Sequence, residues 1–217
     1  RFSWLTIFLL PHKNTMFTGL TQAIGHILAI EPHGDDTRFH VHAGDLAPSH
    51  LTLGASIACN GVCLTVITFD ATSFWVDVSA ETLKLTTLGC WQVGTRINLE
   101  PCLTLQTPLG GHLVSGHVDG VGTVLSRTTE ARSTRFDIAL SLELGRFIAM
   151  KGSVTVEGVS LTVNKVRDEN DMTVFDINLI PHTLSHTTLG DLQAGSRVNI
   201  EVDLLARYAA RLSAHQP

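Results

Sequence analysis

Apolar and polar residues alternate in short runs along most of this 217-residue chain. Phe39-His40-Val41-His42, Ser73-Phe74-Trp75-Val76-Asp77-Val78 and Thr173-Val174-Phe175-Asp176-Ile177-Asn178 each carry the period of two that turns one strand face to a core. Turn formers such as Gly34-Asp35-Asp36 and Asp168-Glu169-Asn170-Asp171 bound these runs. Closely spaced β runs with glycine at the joints predict an all-β chain of small closed barrels rather than βαβ units. Helical spacing is confined to a few places. One short helix is expected over Ala43 to His50 and its counterpart over Leu142 to Ala149, ahead of Gly54 and Gly152. A further helical turn fits 79–83 and 181–184. From Asp203 to Ser213, Leu204, Leu205, Tyr208 and Leu212 share one side and Arg207 and Arg211 lie on another, an amphipathic helix with nothing after it to pack on. It covers its own barrel or buries its apolar face against another subunit.

The pattern occurs twice. Gly19-Leu20-Thr21-Gln22-Ala23-Ile24-Gly25 lies over Gly116-His117-Val118-Asp119-Gly120-Val121-Gly122, and at the same offset Asn60-Gly61-Val62-Cys63-Leu64-Thr65-Val66 lies over Glu157-Gly158-Val159-Ser160-Leu161-Thr162-Val163. After a short insertion in the second copy, Thr86-Thr87-Leu88-Gly89 meets Thr187-Thr188-Leu189-Gly190, and Arg96-Ile97-Asn98-Leu99-Glu100 meets Arg197-Val198-Asn199-Ile200-Glu201. A period this long is a duplicated domain, because each unit is large enough to bury its own core. Each copy has room for about six strands. The copies differ where chemistry could sit: Cys63 against Ser160, Glu81 against His182, and Leu20 against His117.

Composition narrows the class. Hydrophobic residues make up 44% of the chain, ample for two cores, and the net charge of −5 offers no basic footprint for a nucleic-acid backbone. The four cysteines (Cys59, Cys63, Cys90, Cys102) all fall in the first copy or at its end without CxxC spacing. A disulfide framework would recur in both copies, so reduced thiols and a cytoplasmic setting are expected. Residues 1–15 stand outside the repeat. Their apolar stretch, Trp4 to Leu10, lacks the basic flank and small-residue site of a secretion signal and is far short of a membrane span. An over-long start or an added extension is the expectation, and secretion the lesser reading. His40-x-His42 lacks a third ligand nearby and is taken as a surface strand. Gly110-Gly111 lacks the lysine and helix of a phosphate loop. Arg96-x-Asn98-x-Glu100 and its repeat are expected to form a polar strand face with a structural role. His112 and His117 lie in a glycine-rich loop, where histidines are usually exposed or hydrogen-bonded, and Cys63 between Val62 and Leu64 could be a small buried hydrophobe.

Four strings, in order across 16–213, carry a resemblance: Met16-Phe17-Thr18-Gly19, Asn60-Gly61-Val62-Cys63-Leu64-Thr65, Gly110-Gly111-His112-Leu113-Val114-Ser115-Gly116-His117-Val118-Asp119-Gly120 and Gly158-Val159-Ser160-Leu161-Thr162-Val163. Together they resemble riboflavin synthase of the α-chain type. The resemblance implies two tandem six-stranded Greek-key barrels at 16–112 and 113–203, with a trimerisation helix and tail at 204–217. It implies dismutation of two 6,7-dimethyl-8-ribityllumazine molecules to riboflavin and 5-amino-6-(D-ribitylamino)uracil by transfer of a four-carbon unit. No cofactor or metal is implied. The implied partners are the lumazine itself, two further copies in a homotrimer and, as a candidate, the lumazine synthase that makes the substrate, with no nucleic acid and no membrane. The two ligands would meet between the first barrel of one subunit and the second barrel of its neighbour.

On this resemblance Cys63, His117, Ser56 and Asp203 are the catalytic candidates. Gly19, Leu20 and Thr21, with Gly116, His117 and Val118, would close over the rings. Cys63, Leu64 and Thr65, with Ser160, Leu161 and Thr162, would line them. Asp77, Val78, Ser79, Ala80, Glu81 and Thr82, with Asn178, Leu179, Ile180, Pro181, His182 and Thr183, would hold the ribityl chains, and Lys151 would lie near the second pocket. Two similar pockets suit a reaction between two identical substrates, where holding flat heterocycles in register replaces a costly encounter. A thiol in one pocket and a hydroxyl in the other differ in acidity and nucleophilicity, which suits unlike donor and acceptor roles. The main rival is a non-catalytic lumazine- or flavin-binding protein of the same fold. A flavin reductase would need a nicotinamide-binding fingerprint that the chain lacks.

Overall fold

The computed structural model describes residues 15–214; the expectations for the apolar stretch Trp4 to Leu10 and the rest of 1–14 lie outside the described residues. Twelve strands form two closed antiparallel barrels. The first contains β1 (Ala23–His33), β2 (Asp36–His42), β3 (Ser56–Cys59), β4 (Val62–Phe69), β5 (Ser73–Val78) and β6 (Arg96–Pro101), in the order β1-β2-β5-β4-β3-β6. The second repeats that order with β7 (Gly120–Glu130), β8 (Ser133–Ser141), β9 (Ser153–Val156), β10 (Val159–Glu169), β11 (Met172–Leu179) and β12 (Arg197–Val202). Closure leaves no free sheet edge. Each barrel has its own core: Ile27, Phe39, Val41, Phe74, Val76 and Ile97 are among the buried residues of the first, and Val124, Phe136, Ile138, Phe175, Ile177 and Ile200 of the second.

The short helices hold the ends of the barrels. α1 (Ala80–Leu85) starts at Ser79, whose side chain accepts the Thr82 N–H, and α3 (Pro181–His186) starts on a proline, which has no N–H to satisfy. The helix expected over 43–50 is reduced to one 3-10 turn, Pro48–His50. Ala43 still donates to Thr72 O, as a strand residue would, and Gly44 then turns at φ +59. Its counterpart is only α2 (Leu142–Gly145), which unwinds into successive tight turns as Phe147 and Ile148 donate to Leu144 O and Gly145 O. The left-handed position equivalent to Gly54 (φ +78) is Lys151 (φ +66), not Gly152; Gly54 and Lys151 donate matching hydrogen bonds to Val66 O and Val163 O.

The barrels meet about a pseudo-twofold axis. Asn98 Nδ2 donates to Glu157 O and Asn199 Nδ2 to Asn60 O, while Asn98 Oδ1 accepts from Thr188 N and Asn199 Oδ1 from Thr87 N. Asn98 and Asn199 are therefore buried connectors; of the polar faces of β6 and β12, the asparagines and Glu100 and Glu201 are buried in the protein, while Arg96 and Arg197 stand exposed. The hairpin tips Asn60-Gly61 and Glu157-Gly158 touch backbone to backbone at the axis. Copy one has an amide at the tip where copy two has the carboxyl of Glu157; full burial pushes that carboxyl up to about 8.

Last comes α4 (Leu204–Ser213), with Asp203 accepting the Leu205 N–H at its start. Arg207 ties it to the second barrel through Asp119. Its apolar side is bare: Leu205, Tyr208 and Leu212 are 73%, 63% and 71% exposed. Of the two expected arrangements, the helix does not cover its own barrel with that side.

Candidate functional site

Two cavities lie at equivalent places, and each is built from both halves of the chain. In the first, of about 220 Å³, β4 of the first barrel supplies Val62 and Cys63, α1 supplies Glu81, Thr82 and Leu85, and the remaining wall is Gly116, His117 and Val118 from the segment leading into the second barrel. In the second, of about 300 Å³, β10 supplies Val159, Ser160 and Leu161, α3 supplies His182, Thr183 and His186, and the wall is Gly19, Leu20 and Thr21 from the segment leading into the first barrel. The lead-in segments are thus exchanged between the barrels.

The exchange has a clear local cause. Phe17 and Val114 pair as an antiparallel bridge, so the two lead-ins run side by side. Each is clamped by a buried glutamate at the end of a strand. Glu100 accepts from Thr18 N, Thr18 Oγ1 and Gly19 N at 2.7, 2.7 and 2.9 Å, and Glu201 accepts from Ser115 N, Ser115 Oγ and Gly116 N at the same three distances. Beyond the clamps, Cys63 N donates to Gly116 O and Ser160 N to Gly19 O, both at 2.8 Å. A Cβ on Gly116 would stand 2.6 Å from the Cys63 Cβ, and one on Gly19 would stand 2.5 Å from the Ser160 Cβ. Both glycines also have φ +76, so both reasons for glycine apply at once.

Cys63 and His117 therefore share the first cavity. Burial pushes the Cys63 thiol up, against smaller opposing contributions from hydrogen bonds with Thr15 and Ser56, so the sulfur carries its proton at neutral pH. The Thr15 Oγ1–Sγ separation is 3.5 Å. Ser56, which hydrogen-bonds the Cys63 thiol, lines a neighbouring cavity together with His50 and Cys102. Leu64 points into the core, whereas Thr65 is exposed and paired with Ser56 across the ladder. Asp203 lies on the second barrel, at the start of α4, and not among the residues around Cys63.

The second cavity has a support that the sequence marked only as an exposed or hydrogen-bonded loop histidine, outside the candidate site. His112 is half-buried; its Nδ1 shares a 2.7 Å hydrogen bond with Ser160 Oγ and its Nε2 a 3.2 Å hydrogen bond with Thr155 Oγ1. Burial lowers its proton affinity, opposed by the nearby Asp203 charge, so the ring is neutral at pH 7. Its counterpart in the first copy is Thr15, beside Cys63, where the repeat is too degraded to read. Lys151 is exposed and does not line this cavity, and Thr162 is also exposed.

The segments expected to hold ribityl chains lead into α1 and α3. Asp77 is held by Arg38 through two hydrogen bonds of 2.7 and 2.9 Å, which keep its carboxyl below the usual range. Val78 and Leu179 are buried; Ser79, Ala80, Ile180 and Pro181 form the exposed joints to the helices, and Asn178 stands exposed opposite Arg135.

The Lumazine binding domain family matches the chain twice, over residues 18–101 and 115–203. Riboflavin synthase of Brucella abortus (strain 2308) is 45% identical over 93% of this chain and 100% of that protein, and the riboflavin synthase of Photobacterium phosphoreum 43% over 91% and 88%. The crystal structure of LumP complexed with riboflavin superposes with a TM-score of 0.77 at 26% identity, covering 86% of this chain and 98% of that one. LumP complexed with 6,7-dimethyl-8-(1'-D-ribityl)lumazine gives a TM-score of 0.75 at 25% identity over the same shares.

Proposed function

The chain belongs to the riboflavin synthase family, and from that premise we propose that it binds two molecules of 6,7-dimethyl-8-ribityllumazine and transfers a four-carbon unit between them, releasing riboflavin and 5-amino-6-(D-ribitylamino)uracil. The observation that carries this reading is the presence of two complete cavities with unlike reactive groups. The first sets Cys63 against His117, and the second sets Ser160 on His112.

The chemistry asks the protein for little beyond orientation and proton traffic. A methyl proton must leave one electron-poor ring, and a nucleophile must add to the other. Cys63, kept as a thiol by burial, suits proton delivery to a ring atom better than attack on carbon. His117, exposed at the cavity mouth, can take a proton and pass it to water. Backbone groups of the exchanged lead-ins would hold the ring edges, and α1 and α3 the ribityl chains.

The same reading gives α4 its task. Its bare apolar side would assemble three copies, setting the first cavity of one subunit against the second cavity of the next. The lumazine synthase remains a candidate supplier of substrate, and a cytoplasmic setting fits four free thiols. Among the described residues no helix is long and apolar enough to cross a membrane.

The likeness to LumP favours a second reading, a ligand-holding protein without turnover. Against it stand the much higher identity to the synthases and the retention of polar side chains in both cavities. Incubating the protein with 6,7-dimethyl-8-ribityllumazine alone separates them. Equal amounts of riboflavin and the pyrimidine support the synthase; tight binding with no product leaves the ligand holder.

A further inference from the structure

The joint between the barrels holds another cavity, of about 310 Å³, that shares no lining residue with the two described above. It lies across the pseudo-twofold axis, because both members of two equivalent pairs line it, Asn60 with Glu157 and Trp91 with Leu192. The symmetry fails at one point on its rim. Arg96 of the first barrel pairs with Asp191 of the second at 2.5 Å. The equivalent partner for Arg197 is Cys90, since Thr87-Leu88-Gly89-Cys90 lies over Thr188-Leu189-Gly190-Asp191. Among the described residues Arg197 therefore donates only to a thiol, at 3.7 Å, and a thiol sulfur is a weak acceptor. Both side chains are exposed and both line the cavity. Inside it, Thr87 is only 8% exposed, and its Oγ1 is buried with no hydrogen-bond partner among the described residues.

A guanidinium without its carboxylate is a ready partner for an oxyanion, which its fork of donors fits in a bidentate way. A buried hydroxyl is costly to leave unpaired, and a ligand oxygen placed against it removes that cost. Trp91 and Leu192 add apolar wall, and burial keeps Glu157 protonated at neutral pH, so that this group brings no negative charge against an anion. The volume stands at the lower end of the range for ligand pockets, which suits a molecule of few heavy atoms. We infer that this cavity binds a small organic anion, its carboxylate or phosphate on Arg197 and a hydroxyl or carbonyl oxygen on Thr87. Such a ligand would touch both barrels at once. It would also sit behind the first cavity, because Thr86, next to Thr87 in the chain, lines that cavity and donates to Thr82 O on α1.

The test is calorimetric titration of the full chain at pH 7 with glycerol 3-phosphate and with 3-hydroxybutyrate, beside uncharged glycerol and inorganic phosphate. One of the two organic anions is expected to bind at one site per chain about tenfold tighter than glycerol, as one charge-assisted contact would give, and which of them binds tells phosphate from carboxylate. Cys90→Asp hands Arg197 the partner that Arg96 already has, and should weaken that binding about tenfold while turnover of the lumazine stays at the parent rate. Thr87→Val, close in shape but without the hydroxyl, should weaken it severalfold, and Arg96→Gln should leave it unchanged. Cys90 and Arg96 are exposed, so folding does not hinge on C90D or R96Q. Organic anions that bind no better than glycerol, or binding that survives C90D, overturn the inference and leave the synthase reading standing. Inorganic phosphate held as tightly as the organic anions would reduce the site to surface charge and overturn it as well.

Discussion

Cys63 and Ser160 occupy the same backbone position, and their surroundings set them apart as much as their atoms do. Cys63 is shielded and keeps its proton, whereas Ser160 is aligned by a neutral histidine held in turn by Thr155. If Cys63 delivers a proton, Cys63→Ser should lower turnover by tenfold or more, in line with roughly 10²–10⁴ for a positioned acid–base group. Substrate affinity should change little; single-turnover measurements beside equilibrium titration check the split. An unaltered rate would remove Cys63 from the chemistry. His112 predicts a different signature. Replacing it with Ala frees the Ser160 hydroxyl and should weaken ligand binding at the second cavity by about one hydrogen bond, roughly 0.5–1.5 kcal/mol. The first cavity should be unaffected, as site-resolved NMR titration of a labelled ligand would report. Cys63 was legible because it broke the repeat at a readable place. His112 was not, because its partner in the repeat, Thr15, sits where the two copies no longer align, and its role depends on contacts far away in sequence.

The elements that sequence reading captured are those whose signal is local. Period-two alternation marked β2, β5 and β11, and helical spacing with a following tail marked α4. The helices expected over 43–50 and 142–149 shrank because Gly44 and a run of tight turns broke them, and apolar spacing alone does not see such breaks. The exchange of lead-in segments left no trace in either segment, since it is decided by Glu100, Glu201 and the fit of a glycine against a distant residue. That fit can be tested by comparing two substitutions. Gly116→Ala meets both the positive φ and the Cys63 side chain, and should cost about 1–3 kcal/mol in urea unfolding while displacing Cys63 and lowering activity. Gly34→Ala has the φ penalty but open space around it, and should cost only about 1 kcal/mol with activity intact.

At the scale of the molecule, the joint between the barrels is polar and carries one titratable group at its centre. Folding holds Glu157 protonated with its pKa near 8, against about 4.3 in the unfolded chain. Its contribution to stability is therefore whole below about pH 4.3 and falls as pH rises, by about 1.4 kcal/mol per unit, until the folded group ionises near 8. Glu157→Gln keeps the amide pattern of Asn60 and removes that group. Between pH 6 and 8 the variant should lose about 2–3 kcal/mol less stability than the parent, as denaturant titrations at the two pH values would show. Equal losses would mean that Glu157 is not the group responsible. Assembly is the other property at this scale: Tyr208→Asp with Leu212→Asp on the bare side of α4 should shift the sedimenting species to the single chain, while a parent already monomeric would refute the trimer.

The crossed lead-ins and the mirrored asparagine contacts have the form of an isologous interface, in which what residue i does to j is done in return. Two separate copies of one barrel could have made the same exchange, as a swapped dimer with two identical pockets. Such a dimer is bound by its symmetry: a change that helps one pocket is imposed on the other. Joining the copies in one chain removes that constraint without altering the contacts. A thiol can then stand on one side and a hydroxyl on the other, and a reaction between two identical molecules can be given unequal halves.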